Sequence, residues 1–187
     1  MKSQIRIIGG KWRGRKLQVI DAEGLRPTPD RIRETLFNWL AKDLRDATLL
    51  DCFAGSGALG FEALSRGARR VTAFERHPTA LANLQLQAER FENPAFEIIA
   101  GDAVDLIGRL QRKYDIVFID PPYAEPQLRE RVLKQLESRD CLQTGAKIYF
   151  EWPASENFDL PSARLRWLKQ KSAGQVKYAI AEWRGSR

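Results

Sequence analysis

Cysteine and histidine are scarce: Cys52 and Cys141 stand far apart, and His77 is the single histidine. That leaves too few ligands for a metal site and no framework of disulfides, so both thiols read as reduced and structural. No apolar run approaches the roughly 20 residues a membrane span needs. The start, "MKSQIRIIGGKWRGRKL", has neither the apolar stretch nor the small-residue cleavage site of a signal peptide, so the expected location is the cytoplasm, with no membrane partner. Internal repeats, low-complexity tracts and dividing linkers are also missing. What remains is 187 residues with 43% hydrophobic content, enough to bury one core in one domain spanning 1–187.

Charge is present in excess, +7 overall, and it is unevenly spread. Residues 1–45 carry 11 Lys/Arg against 5 Asp/Glu, residues 46–162 carry 13 against 18, and residues 163–187 carry 7 against 1. An acidic middle between basic ends suggests a core for a small cationic ligand and flanks that face a polyanion. An idle basic surface is the bland alternative.

Residues 1–25 are expected to form a basic β-hairpin extension, from two short β-branched runs around Gly9, Gly10 and Gly14. Residues 26–45 read as an amphipathic helix, with Ile32, Leu36, Phe37 and Leu40 at helical spacing, Pro29 in the first turn, and Thr28 or Asp30 as cap. From residue 46 onward strand and helix patterns alternate: "TLLDCF", "GALGFEALSRG", "RRVTAFE", "HPTALANLQLQAERF", "FEIIAG", "DAVDLIGRLQRK", "YDIVFID", "PQLRERVLKQLES", "AKIYFEW". Two β-like runs joined around "SAG" close the chain as a hairpin. The fold class is therefore α/β: a mostly parallel sheet covered by helices, with an antiparallel C-terminal pair.

Ligands in such sheets bind at the carboxyl ends of the strands, so those ends are read together. The first ends in "DCFAGSGALG", which sets Asp51 before Gly55, Gly57 and Gly60. The second ends at Glu75, where a carboxylate can accept both ribose hydroxyls, and the third at Gly101-Asp102-Ala103, near an adenine edge. This spacing also fits a dinucleotide-binding oxidoreductase. Asp51, however, would repel a pyrophosphate and attract the sulfonium and ammonium groups of S-adenosylmethionine. The plain structural roles are a surface residue for Glu75 and a helix cap for Asp102.

The fourth strand delivers Asp120-Pro121-Pro122-Tyr123 to the same edge. The prolines end the ladder and hold a rigid turn. An exocyclic amine on a nucleobase is a poor nucleophile because its lone pair is delocalised into the ring. Acceptance of its two N–H groups by the Asp120 carboxylate and the Pro121 carbonyl would localise that pair, while Tyr123 stacks on the base. Near the N-terminus, Arg6, Lys11, Arg13, Arg15 and Lys16 fit phosphate contacts, with Trp12 as a stacking ring.

With these residues in view, the chain resembles the class I S-adenosylmethionine-dependent methyltransferases bearing a (D/N)PP(Y/F) tetrapeptide. More closely, "RIIGGKWRGRKL", "LRPTPDRIRETLFNWL", "LLDCFAGSGALGFEALSRGA" and "DIVFIDPPY" resemble the RsmD family, which methylates guanine N2 in bacterial small-subunit 16S ribosomal RNA. The resemblance implies a Rossmann-like class I methyltransferase fold with seven strands and an N-terminal β-extension. It also implies S-adenosylmethionine as donor, no metal, and the assembled small subunit as substrate for a monomeric enzyme. Carried over by position, Asp51 with the loop Phe53, Ala54, Gly55 and Gly57 would hold the methionine part. Glu75 with Arg76 would hold the ribose, Asp102 with Ala103 the adenine, and Asp120 to Tyr123 the guanine. Arg26, in the "RPT" segment at the cofactor mouth, would close it or meet RNA. His77 reads as a helix-start residue, and Trp167 and Trp183 as edge-strand packing.

The rivals are an adenine-N6 methyltransferase acting on DNA, a protein amide methyltransferase, a non-catalytic RNA-binding module, and an NAD-dependent oxidoreductase. DNA enzymes usually add a recognition segment, and only the short N-terminal extension is left over here.

Overall fold

The computed structural model describes residues 3–19 and 28–185. Ser3–Arg6 (β1) pairs antiparallel with Lys16–Val19 (β2), and a short 3-10 turn at Gly10–Trp12 lies between them. This hairpin stands apart from the main sheet but is bolted to Ala58–Ser65 (α2). The Glu62 carboxylate accepts the backbone N–H groups of Ile8 and Gly9 at 2.8 Å each, and Trp12 N–H donates to Ser65 Oγ at 2.9 Å. Gly10 has φ +76°, and a Cβ there would sit 1.8 Å from the Ser65 carbonyl oxygen, so only glycine allows this approach.

Asp30–Trp39 (α1) buries Ile32, Leu36 and Phe37, the apolar stripe expected from its spacing. Its cap differs from expectation. Pro29 occupies the cap position and its carbonyl accepts from Ile32 and Arg33, while Asp30 lies inside the first turn and pairs with Arg33 at 2.7 Å. Neither Thr28 nor Asp30 caps by its side chain.

The main sheet has seven strands in the order β5-β4-β3-β6-β7-β9-β8. They are Thr48–Asp51 (β3), Arg70–Glu75 (β4), Phe96–Ala100 (β5), Tyr114–Ile119 (β6), Leu142–Pro153 (β7), Leu165–Ala173 (β8) and Val176–Trp183 (β9). The first five run parallel, and β9 is antiparallel to both β7 and β8. Buried on both faces, the central strands read as continuous apolar runs. In β6, Ile116 and Phe118 join a core with α1, α2 and the N-terminal hairpin; Val117 and Ile119 join a second core on the other face. That second core takes its helical residues from Ala103–Ile107 (α4) and Leu128–Ser138 (α5). Pro78–Phe91 (α3) packs on the first face.

One helix is shorter than its pattern suggests. Residues 102–113 read as helical, yet α4 ends at Ile107, and Arg109 and Leu110 make i to i−3 bonds that tighten the chain toward β6. Trp167, on the edge strand β8, stacks on Trp152 at 5.9 Å; Trp183 is buried as well, but on β9, which lies inside the sheet between β7 and β8 rather than at its edge. Cys52 and Cys141 are free and buried. Among the described residues no helix is long and apolar enough to cross a membrane, and no cluster of candidate metal ligands occurs.

Candidate active site

Strand order reverses between β3 and β6: successive strands leave β3 first toward β5 and then toward β7. In open α/β sheets ligands bind beside such a switch point, at the carboxyl ends of the strands. Four adjacent strands bring a carboxylate there. Glu75 ends β4, Asp51 ends β3, Asp120 follows β6, and Glu151 lies near the end of β7. Since Ile119 pairs with Phe150, Asp120 and Glu151 come next to each other on adjoining strands.

Asp51 is buried, and its carboxylate accepts the Phe53 N–H at 3.3 Å. Burial pushes its pKa up to about 7; the Phe53 bond opposes this and the Glu75 charge adds to it. Gly57 has φ +76° at the cap of α2, and a Cβ there would meet Leu84 at 2.4 Å and Phe61 at 2.8 Å. Glu75 is also buried, and each of its oxygens holds a turn: one accepts Gly55 N–H at 2.8 Å, the other His77 N–H at 2.7 Å. Each carboxylate oxygen keeps a second lone pair for another donor. His77 occupies the cap position of α3, a helix-start residue.

Asp102 caps α4, accepting Val104 N–H at 2.9 Å, and its other oxygen pairs with Arg76 at 3.2 Å. Arg76 also pairs with Glu125. Its guanidinium therefore ties the end of β4 to the β5–α4 turn and to the segment after Tyr123. Ala103 is the buried first residue of α4.

The Asp120-Pro121-Pro122-Tyr123 turn leaves β6 as the prolines require, and the Pro122 carbonyl is occupied by Glu125 N–H at 2.9 Å. Burial raises the Asp120 pKa well above the usual carboxylate range; the Glu151 and Asp51 charges add to this, and Arg129 of α5 opposes it. Tyr123 is 40% exposed, yet its hydroxyl donates to Glu151 Oε1 at 3.1 Å. Tyr149 donates to the other oxygen, Oε2, at 2.8 Å, and burial keeps its own pKa well above the usual tyrosine value. Glu151 is the site residue that sequence reading missed. Its signal was a lone carboxylate inside the apolar run "IYFEW" at the carboxyl end of a parallel strand.

The N-terminal residues divide. Arg6, Lys11, Arg13 and Lys16 are exposed, and among the described residues none makes an ion pair. Arg15 is exposed as well but anchored, with its guanidinium 3.8 Å over Phe91 and bonded to the Arg90 carbonyl. Trp12 overturns its expected role: it is buried, edge-on to Phe61 at 6.4 Å and to Phe91 at 4.8 Å, so its ring belongs to the core and offers no face to a base. Arg26 lies outside the described residues.

A family model described as "Conserved hypothetical protein 95" matches residues 5–182. Ribosomal RNA small subunit methyltransferase D of Escherichia coli (strain K12) is 44% identical over 179 residues, 95% of this chain and 89% of the relative. The solved structure of yhhF from Escherichia coli aligns with a TM-score of 0.89 at 40% identity, over 97% of this chain and 98% of that one. SMU.776, solved in complex with SAH, aligns with a TM-score of 0.68 at 16% identity over 89% of this chain and 53% of that one, and so shares the fold. Matched across nearly its whole length, this chain belongs to the ribosomal RNA small subunit methyltransferase D family of enzymes.

Proposed function

We propose that this enzyme transfers the methyl group of S-adenosylmethionine to the exocyclic N2 amine of a guanine in the 16S ribosomal RNA of the small subunit. The observation that carries the reading is the juxtaposition of two sites across neighbouring strands. Asp51 and Glu75 end β3 and β4, and the Asp120–Tyr123 turn leaves β6 directly beside them.

The donor set fits a cationic ligand. Buried Asp51 is poorly ionised without a counter-charge, and an ammonium group beside it would restore the carboxylate. The Phe53–Gly57 backbone, curved by Gly55 and Gly57, would lie along the methionine part. Glu75 has lone pairs left for the ribose hydroxyls, and Asp102 with the Ala103 backbone borders the adenine. S-adenosylmethionine, when bound, supplies an electrophilic methyl group.

The chain's own task is to prepare the nucleophile. Ionised with the help of Arg129 and of a cationic ligand beside it, Asp120 accepts one N–H of the guanine amine and the Pro121 carbonyl the other, so the lone pair points at the methyl carbon. The nitrogen loses its proton after transfer, so no strong base is needed. Tyr123 stacks on the base, and Glu151, bonded to both Tyr123 and Tyr149, holds that ring in place. Exposed Arg6, Lys11, Arg13 and Lys16 would meet phosphates of the assembled small subunit in the cytoplasm, with the enzyme acting as a monomer. This assigns the hairpin extension to substrate and the rest of the single domain to chemistry. The test is Asp120→Ala. Its titration with S-adenosylmethionine should match wild type while label transfer to small subunits falls at least a hundredfold; full transfer would remove Asp120 from the mechanism.

A further inference from the structure

A second basic surface meets the catalytic edge of the sheet. Because β9 runs antiparallel to β7, its first residues lie where β7 ends, and Lys177 pairs with Trp152, the residue after Glu151. The β8–β9 turn at Gly174 and Gln175 thus projects from the same edge as the Asp120 turn, two strands away. Glu182 is the one carboxylate in β8 and β9. It lies toward the opposite end, engaged by Lys147 at 3.2 Å and Arg166 at 2.8 Å. Among the described residues neither Lys171 nor Lys177 makes an ion pair.

Between this hairpin and residues 157–159 lies an open cavity of about 420 Å³, floored by Trp152 and Phe158 and bordered by Asn157, Lys171, Ser172 and Lys177. Asp159 on its rim offsets one of the charges. Arg129 of α5 lies between this wall and the catalytic turn. Its guanidinium sits 5.0 Å over Phe158, pairs with Glu156, and lies close enough to Asp120 to favour that residue's ionised form. Lys177 shares the sheet face of Trp152, while Lys171, opposite Tyr178, stands on the other face of the same hairpin tip. The combination of an apolar floor, amide and hydroxyl groups, and an ammonium group that makes no ion pair suits a nucleotide with its phosphate.

We infer that this cavity receives an RNA nucleotide flanking the methylated guanine, with Phe158 as an apolar wall, Lys177 neutralising that nucleotide's phosphate and Lys171 meeting the neighbouring phosphate from the other face of the same hairpin tip. The inference rests on the ribosomal RNA methyltransferase reading above. It gives the basic C-terminal segment a role separate from that of the N-terminal cations. Two contact surfaces on either side of the acceptor turn would hold the strand across the site.

The test compares wild type with Lys171→Ala/Lys177→Ala and Lys171→Glu/Lys177→Glu, using small ribosomal subunits that lack base methylation as the probe. Thermal melts and S-adenosylmethionine titrations should match wild type for both variants, since both lysines flank a hairpin turn. The alanine pair should weaken subunit binding about tenfold near physiological salt and lower the slope of log affinity against log salt by about 1.5, as expected for two phosphate contacts. The glutamate pair should weaken binding further, with turnover at saturating subunits close to wild type. Wild-type affinity and slope in both variants, with wild type labelling subunit RNA normally, would overturn this inference alone. A wild type that binds S-adenosylmethionine yet labels no subunit RNA would overturn the substrate reading and this inference with it.

Discussion

Asp51 makes cofactor affinity depend on pH in a way that can be worked out beforehand. Its carboxyl ionises near pH 7 because burial disfavours the charge, and only the ionised form attracts an ammonium group. The ligand's α-amino group loses its proton at about 7.7–8.0, so affinity should peak between the two values. The product of the two ionised fractions falls about twentyfold from pH 7.4 to pH 5.4. Wild-type affinity, measured by calorimetric titration, should follow that fall. Near pH 7, binding should release about 0.4 of a proton, the half released by Asp51 less the fraction taken up by the amine, seen as a dependence of the heat on buffer ionisation enthalpy. Asp51→Asn keeps the acceptor for Phe53 N–H but not the charge. It should bind weakly at pH 7.4 and change less than about twofold over the same range.

The same variant tests the stability side. The folded-state pKa of Asp51 is raised, so its penalty is absent below the unfolded value near 3.8 and complete above about 7. Near pH 8 the ligand-free Asn variant should be the more stable protein by up to about 4 kcal/mol, the energy of a shift of about three pKa units. At pH 4 the two should melt alike. Constant wild-type affinity between pH 5.4 and 7.4, with no proton release, would refute the reasoning.

Other perturbations reach other parts of the site. Glu151→Gln replaces one of the two accepting oxygens by an NH₂ group, so one tyrosine hydroxyl must turn from donating to accepting; with that ring's hold altered, kcat should fall about tenfold with S-adenosylmethionine affinity unchanged. It also removes a charge that raises the Asp120 pKa, so the acidic limb of the kcat profile should move to lower pH, a displacement that loosened packing alone would not produce. Trp12→Ala should cost about 3–5 kcal/mol in denaturant unfolding, the penalty of emptying a buried aromatic site; a loss of RNA binding at unchanged stability would restore the stacking role. Gly57→Ala meets a left-handed φ and a Leu84 contact of 2.4 Å, and should lower both the melting temperature and S-adenosylmethionine affinity.

The sequence made the parallel sheet legible because β3, β4 and β6 are short apolar runs, each closing on a carboxylate or glycine turn. Asp51, Glu75 and Asp120 were found for the same reason: each sits where its own strand visibly stops. Glu151 was not, since the β7 pattern continues through Trp152 and its importance comes from the register of β7 against β6. Trp12 misled because a tryptophan among cations reads as surface, whereas its partners Phe61 and Phe91 come from distant helices. The two carboxylate partners of Arg76 were equally hidden, since they lie after β5 and β6. Local pattern revealed strand ends, and long-range pairing decided which side chains face each other there.

The most direct test incubates wild type with labelled S-adenosylmethionine and small ribosomal subunits lacking base methylation, then digests the RNA and identifies the labelled nucleoside by mass spectrometry. The account predicts N2-methylguanosine from the 16S RNA. Label in adenine, in DNA, in protein alone or nowhere would contradict it.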